Sequence, residues 1–250
     1  MLVVSDPPHG EVKVEAAAAV LGLPPEHTRL KIQFQAPEVL ATGDGDRATD
    51  VAASLSAAGV SVRTRDGDLL TQVPWPTLVS SVDLGAKGLR AALGDQAVEI
   101  GYDDTVLAVY CRPPADFAAP PDAPKPIRSV ATGPAAAEAM EWTPHLDLYY
   151  ERGGVPGRLS VAGEALASVV DACQQRFTNL VLDTRLVGVR PRRRFVAGVQ
   201  GFNPDQRKRY AFGTLLLRHA LESISPDLRD LTHYELGSRL AYLLSRGARA

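Results

Sequence analysis

A chain of 250 residues with 45% apolar and 22% charged side chains and a formal net charge of −2 has the make-up of a folded globular protein, which excludes disordered and fibrous classes. Its first stretch, MLVVSDPPHGEVKVEAAAAV, has neither the basic start nor the unbroken apolar segment of a secretory leader. No run approaches the roughly 20 apolar residues of a membrane span, so the chain reads as cytoplasmic.

VEAAAAVLGLPP predicts a short helix stopped by Gly22 and the Pro24-Pro25 pair, and RLKIQFQ alternates with the period of a strand. In EVLATGDGDRATDVAASLSAAGVSVRTRDG a short apolar run precedes a helix from near Asp46 to Gly59, after which VSVRT alternates again. That order of strand, helix and strand is common in ferredoxin-like and similar α+β modules that bind regulators, peptides or other subunits. From PWPTLVSSVDLG to AVYCR the text is strand-like, and VEIGYDDTVLAVY predicts a hairpin with Asp103 and Asp104 at its turn. Two adjacent carboxylates there point apart into water and lack the further oxygen ligands of a hard-metal site, so they read as turn residues.

Residues 112–139, RPPADFAAPPDAPKPIRSVATGPAAAEA, hold seven prolines and few large apolar side chains, the composition of a semi-rigid linker. The expected fold class is therefore α+β: two small mixed α/β sandwich-like domains, an acidic one over 1–111 and a basic one over 140–250, joined by that linker. Beyond it, LDLYYERGGVPGRLSV predicts a hairpin turning at Gly153-Gly154. A helix across VAGEALASVVDACQQRF puts Leu166, Val169, Val170, Cys173 and Phe177 on one stripe, so Cys173 reads as a small buried apolar residue. NLVLDTRLVGV and RFVAGV read as strands separated by RPRR. Two helices follow, one from Asn203-Pro204 and one from Thr232, where Thr232 and Glu235 form a capping box ahead of Leu236, Leu240 and Leu243.

Charge is distributed unevenly. Residues 1–150 carry 11 Lys+Arg against 20 Asp+Glu, and residues 151–250 carry 16 against 9, so the two parts are −9 and +7. The stretch GVRPRRRFVAGVQGFNPDQRKRY sets seven basic side chains around the single acid Asp205. Arg190, Arg192 and Arg193 are expected at or beside a turn, with Arg194 opening the next strand and Arg207 and Lys208 near the start of the helix capped by Asn203. Forked donors beside a helix N-terminus are what an anion site needs, and these six residues are the candidate polyanion-binding set. The plainer reading is a solvated rim. On the helical wheel Arg207 and Lys208 lie opposite the stripe of Tyr210, Thr214, Leu217, Leu221 and Ile224, and Phe195, Phe202 and Phe212 are spaced for packing rather than for base stacking. Arginine also outnumbers lysine 22 to 5, a bias that fits a GC-rich genome.

For catalysis the sequence offers little. His9, His27, His145, His219 and His233 fall in no metal or triad spacing, and Pro144 breaks the helical face that Glu141 and His145 would need to share. Cys111 and Cys173 make neither a disulfide framework nor a zinc pattern, and no GxSxG elbow or Gly-rich phosphate loop occurs. No catalytic residue, cofactor or metal is expected. The function read from sequence is a non-enzymatic interaction or regulatory protein that binds a protein partner or itself, through a sheet edge or the basic end. The alternatives are nucleic-acid or other polyanion binding through the basic domain, and an enzyme of unknown class.

Overall fold

The structure is a computed structural model that describes residues 1–7, 9–32, 37–79, 81–93, 95–112, 133, 136, 143–163, 166–167, 169, 187–193, 221–222, 224, 228, 231 and 233–246. Within them, five helices and three small sheets make a mixed α+β protein. The chain forms two compact units, one of Met1–Gln72, Gly198–Leu231 and Arg239–Leu244, the other of Val73–Ala197, Thr232–Ser238 and Ser245–Ala250.

The first unit contains β1 (Leu2–Ser5), α1 (Val14–Leu21), α2 (Pro25–Ile32), β2 (Val39–Thr42), α3 (Gly45–Ala57), β3 (Val62–Arg65) and α4 (Leu69–Gln72). β1 lies between β2 and β3 and is antiparallel to both, so β2 and β3 run parallel to each other and α3 crosses between them. This is the split β-α-β arrangement. Val3 packs in a core with Ala17, Ile32, Leu40, Leu55 and Val60. Leu2 and Val4, which point to the opposite face, are buried as well. A strand buried on both faces needs an unbroken apolar run, and LVV supplies it.

Local signals set the helix ends. Gly22 closes α1 with φ 62°, the left-handed geometry that glycine adopts without strain. Asp44 caps α3 by accepting from the Arg47 N–H at 2.9 Å. Gly59 follows α3 with φ 86°, and a Cβ there would collide with the Glu11 carbonyl. RLKIQFQ departs from expectation, because Arg29–Ile32 finish α2 instead of starting a strand. Pro25 has its φ preset at the first helical position, Glu26 sits in the first turn, and Arg29 and Lys31 sit in the last, each with the helix dipole. Those end signals outweigh four residues of alternation; Gln33–Gln35 lie outside the described residues.

The second unit holds β4 (Thr77–Val79), β5 (Val82–Leu84), β6 (Gly88–Leu93), β7 (Gln96–Gly101), β8 (Thr105–Arg112), β9 (His145–Arg152), β10 (Val155–Ala162) and β11 (Val187–Arg193). The helix α5 (His233–Arg246) has its first residues in this unit and Arg239–Leu244 in the first. β5, β6 and β7 form an antiparallel meander. The larger sheet runs β11-β8-β9-β10-β4, with β11 parallel to β8 and β4 parallel to β10. The inner faces share one core, with Leu89, Ala91 and Ile100 from the meander and Leu146, Leu148, Leu159 and Val161 from the larger sheet.

The hairpin expected of VEIGYDDTVLAVY does not form. β7 pairs with β6, β8 pairs with β9, and a 3-10 turn over Tyr102–Asp104 carries the chain from one sheet to the other. Register pairs Leu93 with Gln96, so a tight connection closes β7 onto β6 first. Asp103 and Asp104 do lie in a turn, where the Asp104 carboxylate accepts from the Gly101 N–H at 3.3 Å. The second expected hairpin is present: β9 and β10 pair from Arg152↔Val155 onward, and Gly153 and Gly154 both have positive φ, 58° and 79°.

β8 and β9 flank the proline-rich segment and are antiparallel neighbours. That segment itself lies outside the described residues except for Arg112, Gly133 and Ala136. Leu166, Ala167 and Val169 are helical, with Leu166 and Val169 in the core; Val170, Cys173 and Phe177 lie outside the described residues, as does the start of the helix expected at Asn203-Pro204. No described helix is long and apolar enough to cross a membrane.

Replacing Gly59 by alanine is expected to cost about 1–3 kcal/mol, since a Cβ there meets both a left-handed backbone and the Glu11 carbonyl. Urea unfolding of the full chain would measure it.

Candidate functional site

The hairpin β9-β10 has two buried faces of different chemistry. Leu146 and Leu148 alternate with His145, Asp147 and Tyr149, and Leu159 and Val161 alternate with Arg158 and Ser160. The apolar set enters the core described above. Register then sets Arg158 opposite Tyr149 and Ser160 opposite Asp147 on the other face. An antiparallel sheet commonly leaves such a polar face wet. Here Asp147 and Ser160 are 0% exposed and Arg158 is 3% exposed.

α5 supplies the cover. Glu235 and Ser238, three residues apart and so on one helical face, both reach this row. Arg158 donates from Nη1 to Glu235 Oε1 and from Nη2 to Asp147 Oδ2, each at 2.7 Å. Asp147 also accepts from Ser238 Oγ at 2.6 Å and from Ser160 Oγ. Tyr149 Oη and Ser238 Oγ are 2.8 Å apart, and the Arg158 guanidinium stands 5.1 Å from the Tyr149 ring centroid. His145 Nδ1 lies 2.9 Å from the Thr143 carbonyl oxygen, which can only accept, so Nδ1 carries a proton; Nε2 faces Asp147 at 4.0 Å.

The electrostatics follow from this geometry. Burial disfavours the Asp147 charge, but Arg158, His145 and the two hydroxyl donors together outweigh it and hold the carboxyl down at about 2. Burial also weakens the Arg158 charge, and Asp147 and Glu235 more than restore it, leaving the guanidinium more firmly protonated than a free one. The Tyr149 hydroxyl is driven well above its ordinary range, chiefly by burial. Chemically this is a clasp. A carboxylate so stabilised is a poor proton acceptor, and Ser160 and Ser238 both donate to it directly. Among the described residues the Arg158 Nε, also buried, has no hydrogen-bond partner.

A second arrangement lies on the solvent side of the β5-β6-β7 meander. Asp83, Arg90 and Glu99 stand side by side across its three strands. They line an open cleft of about 570 Å³ with Lys87, Asp104 and Arg152. Among the described residues none of these six charged side chains is in an ion pair. Their neighbours on this face are small: Gly88 pairs with Gly101, and Ala92 with Ala97.

Of the residues singled out from sequence, Arg190, Arg192 and Arg193 lie in β11, in register with Val109, Cys111 and Arg112 of β8. They belong to a strand where a turn was expected. Pro191 is tolerated because, among the described residues, β11 is an edge strand. Arg194, Arg207 and Lys208 lie outside the described residues. His145, set aside as a metal ligand, borders the buried network, and no group of three or more His, Cys, Asp or Glu among the described residues is arranged to hold a metal ion. Sequence reading missed the Asp147–Arg158–Glu235 network. Its available signal was charge at fixed strand positions inside a hairpin whose glycine turn sets the register.

Comparison with known proteins gives no match to a family, to a curated protein or to a solved structure.

Arg158→Ala strands two buried carboxylates and is expected to cost about 3–5 kcal/mol, whereas joint replacement of Asp147, Arg158 and Glu235 by apolar residues of similar volume costs less. Urea titrations of the two variants decide it. Because the folded Asp147 pKa, about 2, lies below the unfolded value of about 3.9, its stabilisation is complete above about pH 4. It disappears as pH falls from there towards 2, an effect on the order of 2 kcal/mol that a pH series of unfolding curves would show and that Asp147→Asn would remove.

Proposed function

We propose that this is a non-enzymatic, cytoplasmic interaction protein that binds a protein partner, itself included, through the outer side of the β5-β6-β7 meander. The observation that carries the reading is the row Asp83, Arg90 and Glu99, solvent-exposed and bordered by glycine and alanine pairs. Those small neighbours leave room beside the row for another chain to approach. The row's alternating charges give a partner of complementary pattern an advantage and penalise others, which is how charged interfaces contribute specificity. The cleft that Asp83, Arg90 and Glu99 line with Lys87 and Arg152 extends the same polar surface.

Arg90→Glu turns the row into three acids without touching the core. The full chain and this variant, each immobilised, would be exposed to a lysate of the source organism and the retained proteins compared. Proteins held by the natural chain and lost with Arg90→Glu are the expected result; identical retained sets, or none with either, would overturn the reading.

A second reading, polyanion binding, draws support from Arg190, Arg192 and Arg193 in one strand that is at a sheet edge among the described residues. It engages Arg190, Arg192, Arg193, Arg194, Arg207 and Lys208 as phosphate contacts. In a mobility-shift titration with duplex DNA, two neutralised phosphates give a log-log salt slope of about −1.8 and four give about −3.6. No shift at low salt would remove this reading.

A further inference from the structure

The hydrogen-bond phase of the meander identifies which backbone groups of β7 have no strand to pair with. Ala92 N–H bonds to the Ser81 carbonyl and Gly85 N–H to the Gly88 carbonyl, so the even residues of β6 bond to β5 and the odd ones to β7. Leu89, Ala91 and Leu93 therefore pair with Ile100, Val98 and Gln96. Ala97, Glu99 and Gly101 point their N–H and C=O groups away from the sheet. The outward Gly101 N–H is taken by Asp104. For Ala97 and Glu99 no hydrogen bond beyond the meander is present among the described residues, and both are exposed while Val98 between them is half-buried. An edge of this kind is a template for another strand.

We propose that the strand it takes is β7 of a second copy of this chain, antiparallel and centred on Val98, so that two meanders join into one six-stranded sheet. This inference rests on the reading of the protein as an interaction module and names the partner. Charge selects the register. Three antiparallel self-pairings that keep the outward residues in phase are centred within Ala97–Glu99; a centre on Ile100 would set Glu99 against Gly101, whose N–H Asp104 already holds. Centred on Glu99, the two copies of Glu99 oppose each other; centred on Ala97, Glu99 opposes Asp95. Like charges directly opposite are destabilising. Centred on Val98, Glu99 meets Ala97 of the other copy, Val98 meets Val98, and no acid opposes an acid. Each Glu99 also keeps Arg90 beside it within its own sheet. The contact is isologous and closes as a two-fold dimer instead of growing into a fibre.

Residue 97 reports this register with opposite signs. Ala97→Lys sets a cation against Glu99 twice in the dimer, and Ala97→Glu sets an acid there twice. Ala97→Pro removes an N–H that bonds to nothing within the sheet, so the fold survives while the new ladder breaks. Sedimentation velocity on the full chain is run over roughly a hundredfold concentration range. A reversible dimer is expected, tightened about 2- to 30-fold by Ala97→Lys, loosened by a similar factor in Ala97→Glu and abolished by Ala97→Pro. A natural chain and Ala97→Lys that stay monomeric throughout, or a dimer indifferent to all three substitutions, would overturn the inference. If capture of other proteins remains sensitive to Arg90 while no dimer forms, the interaction reading stands and self-pairing alone falls.

Discussion

Arg158 sits between two buried carboxylates, and the covered side of the larger sheet depends on that cation. Each charge in the network was taken out of water at a cost of several kcal/mol, which is recovered only if the partners meet with good geometry. Two 2.7 Å contacts from one planar guanidinium meet that requirement. The consequence is positional. An apolar helix could slide on an apolar sheet at little cost, but α5 has one placement in which Glu235 and Ser238 both find their partners. The network thus fixes how helix and hairpin meet more than it adds to total stability.

The two sheets of the second unit treat charge in opposite ways. Behind the core, Asp147, Arg158 and Glu235 are enclosed and joined to one another. In front of it, on the meander, acids and bases stand in alternation in water without closing on one another. Exposed charges contribute little to folding, whether paired or not. They remain available for an incoming surface, whereas the enclosed set is committed to holding the chain together.

Much of the fold was legible where local chemistry decides the outcome. Gly22, Gly59 and the Gly153-Gly154 pair each mark an element end that the structure confirms, because a positive φ involves only its immediate neighbours; the helix expected from near Asp46 starts at Gly45 with Asp44 as its cap. The α+β class followed from those elements. What could not be read was pairing between distant segments. VEIGYDDTVLAVY has the pattern of a hairpin, yet its two arms serve different sheets, since β6 had already claimed one edge of β7 and β9 claims β8. Alternation in RLKIQFQ misled for a related reason: four residues of period two weigh less than a proline start and charges aligned with the dipole. The buried network was half legible. Register from the glycine turn aligns Asp147 with Ser160 and Arg158 with Tyr149, but nothing local shows that Glu235, 77 residues beyond Arg158, completes it.

That separation bears on how the chain acquires its structure as it is made. β9 and β10 close through a two-glycine turn and can pair early, while Glu235 and Ser238 come 77 to 91 residues after the groups they bind. Through that interval of synthesis the uncovered side of the hairpin displays an aspartate, an arginine and a serine, not leucines. A nascent surface of that kind stays hydrated and gives chaperones and neighbouring chains little to grip until the covering helix emerges.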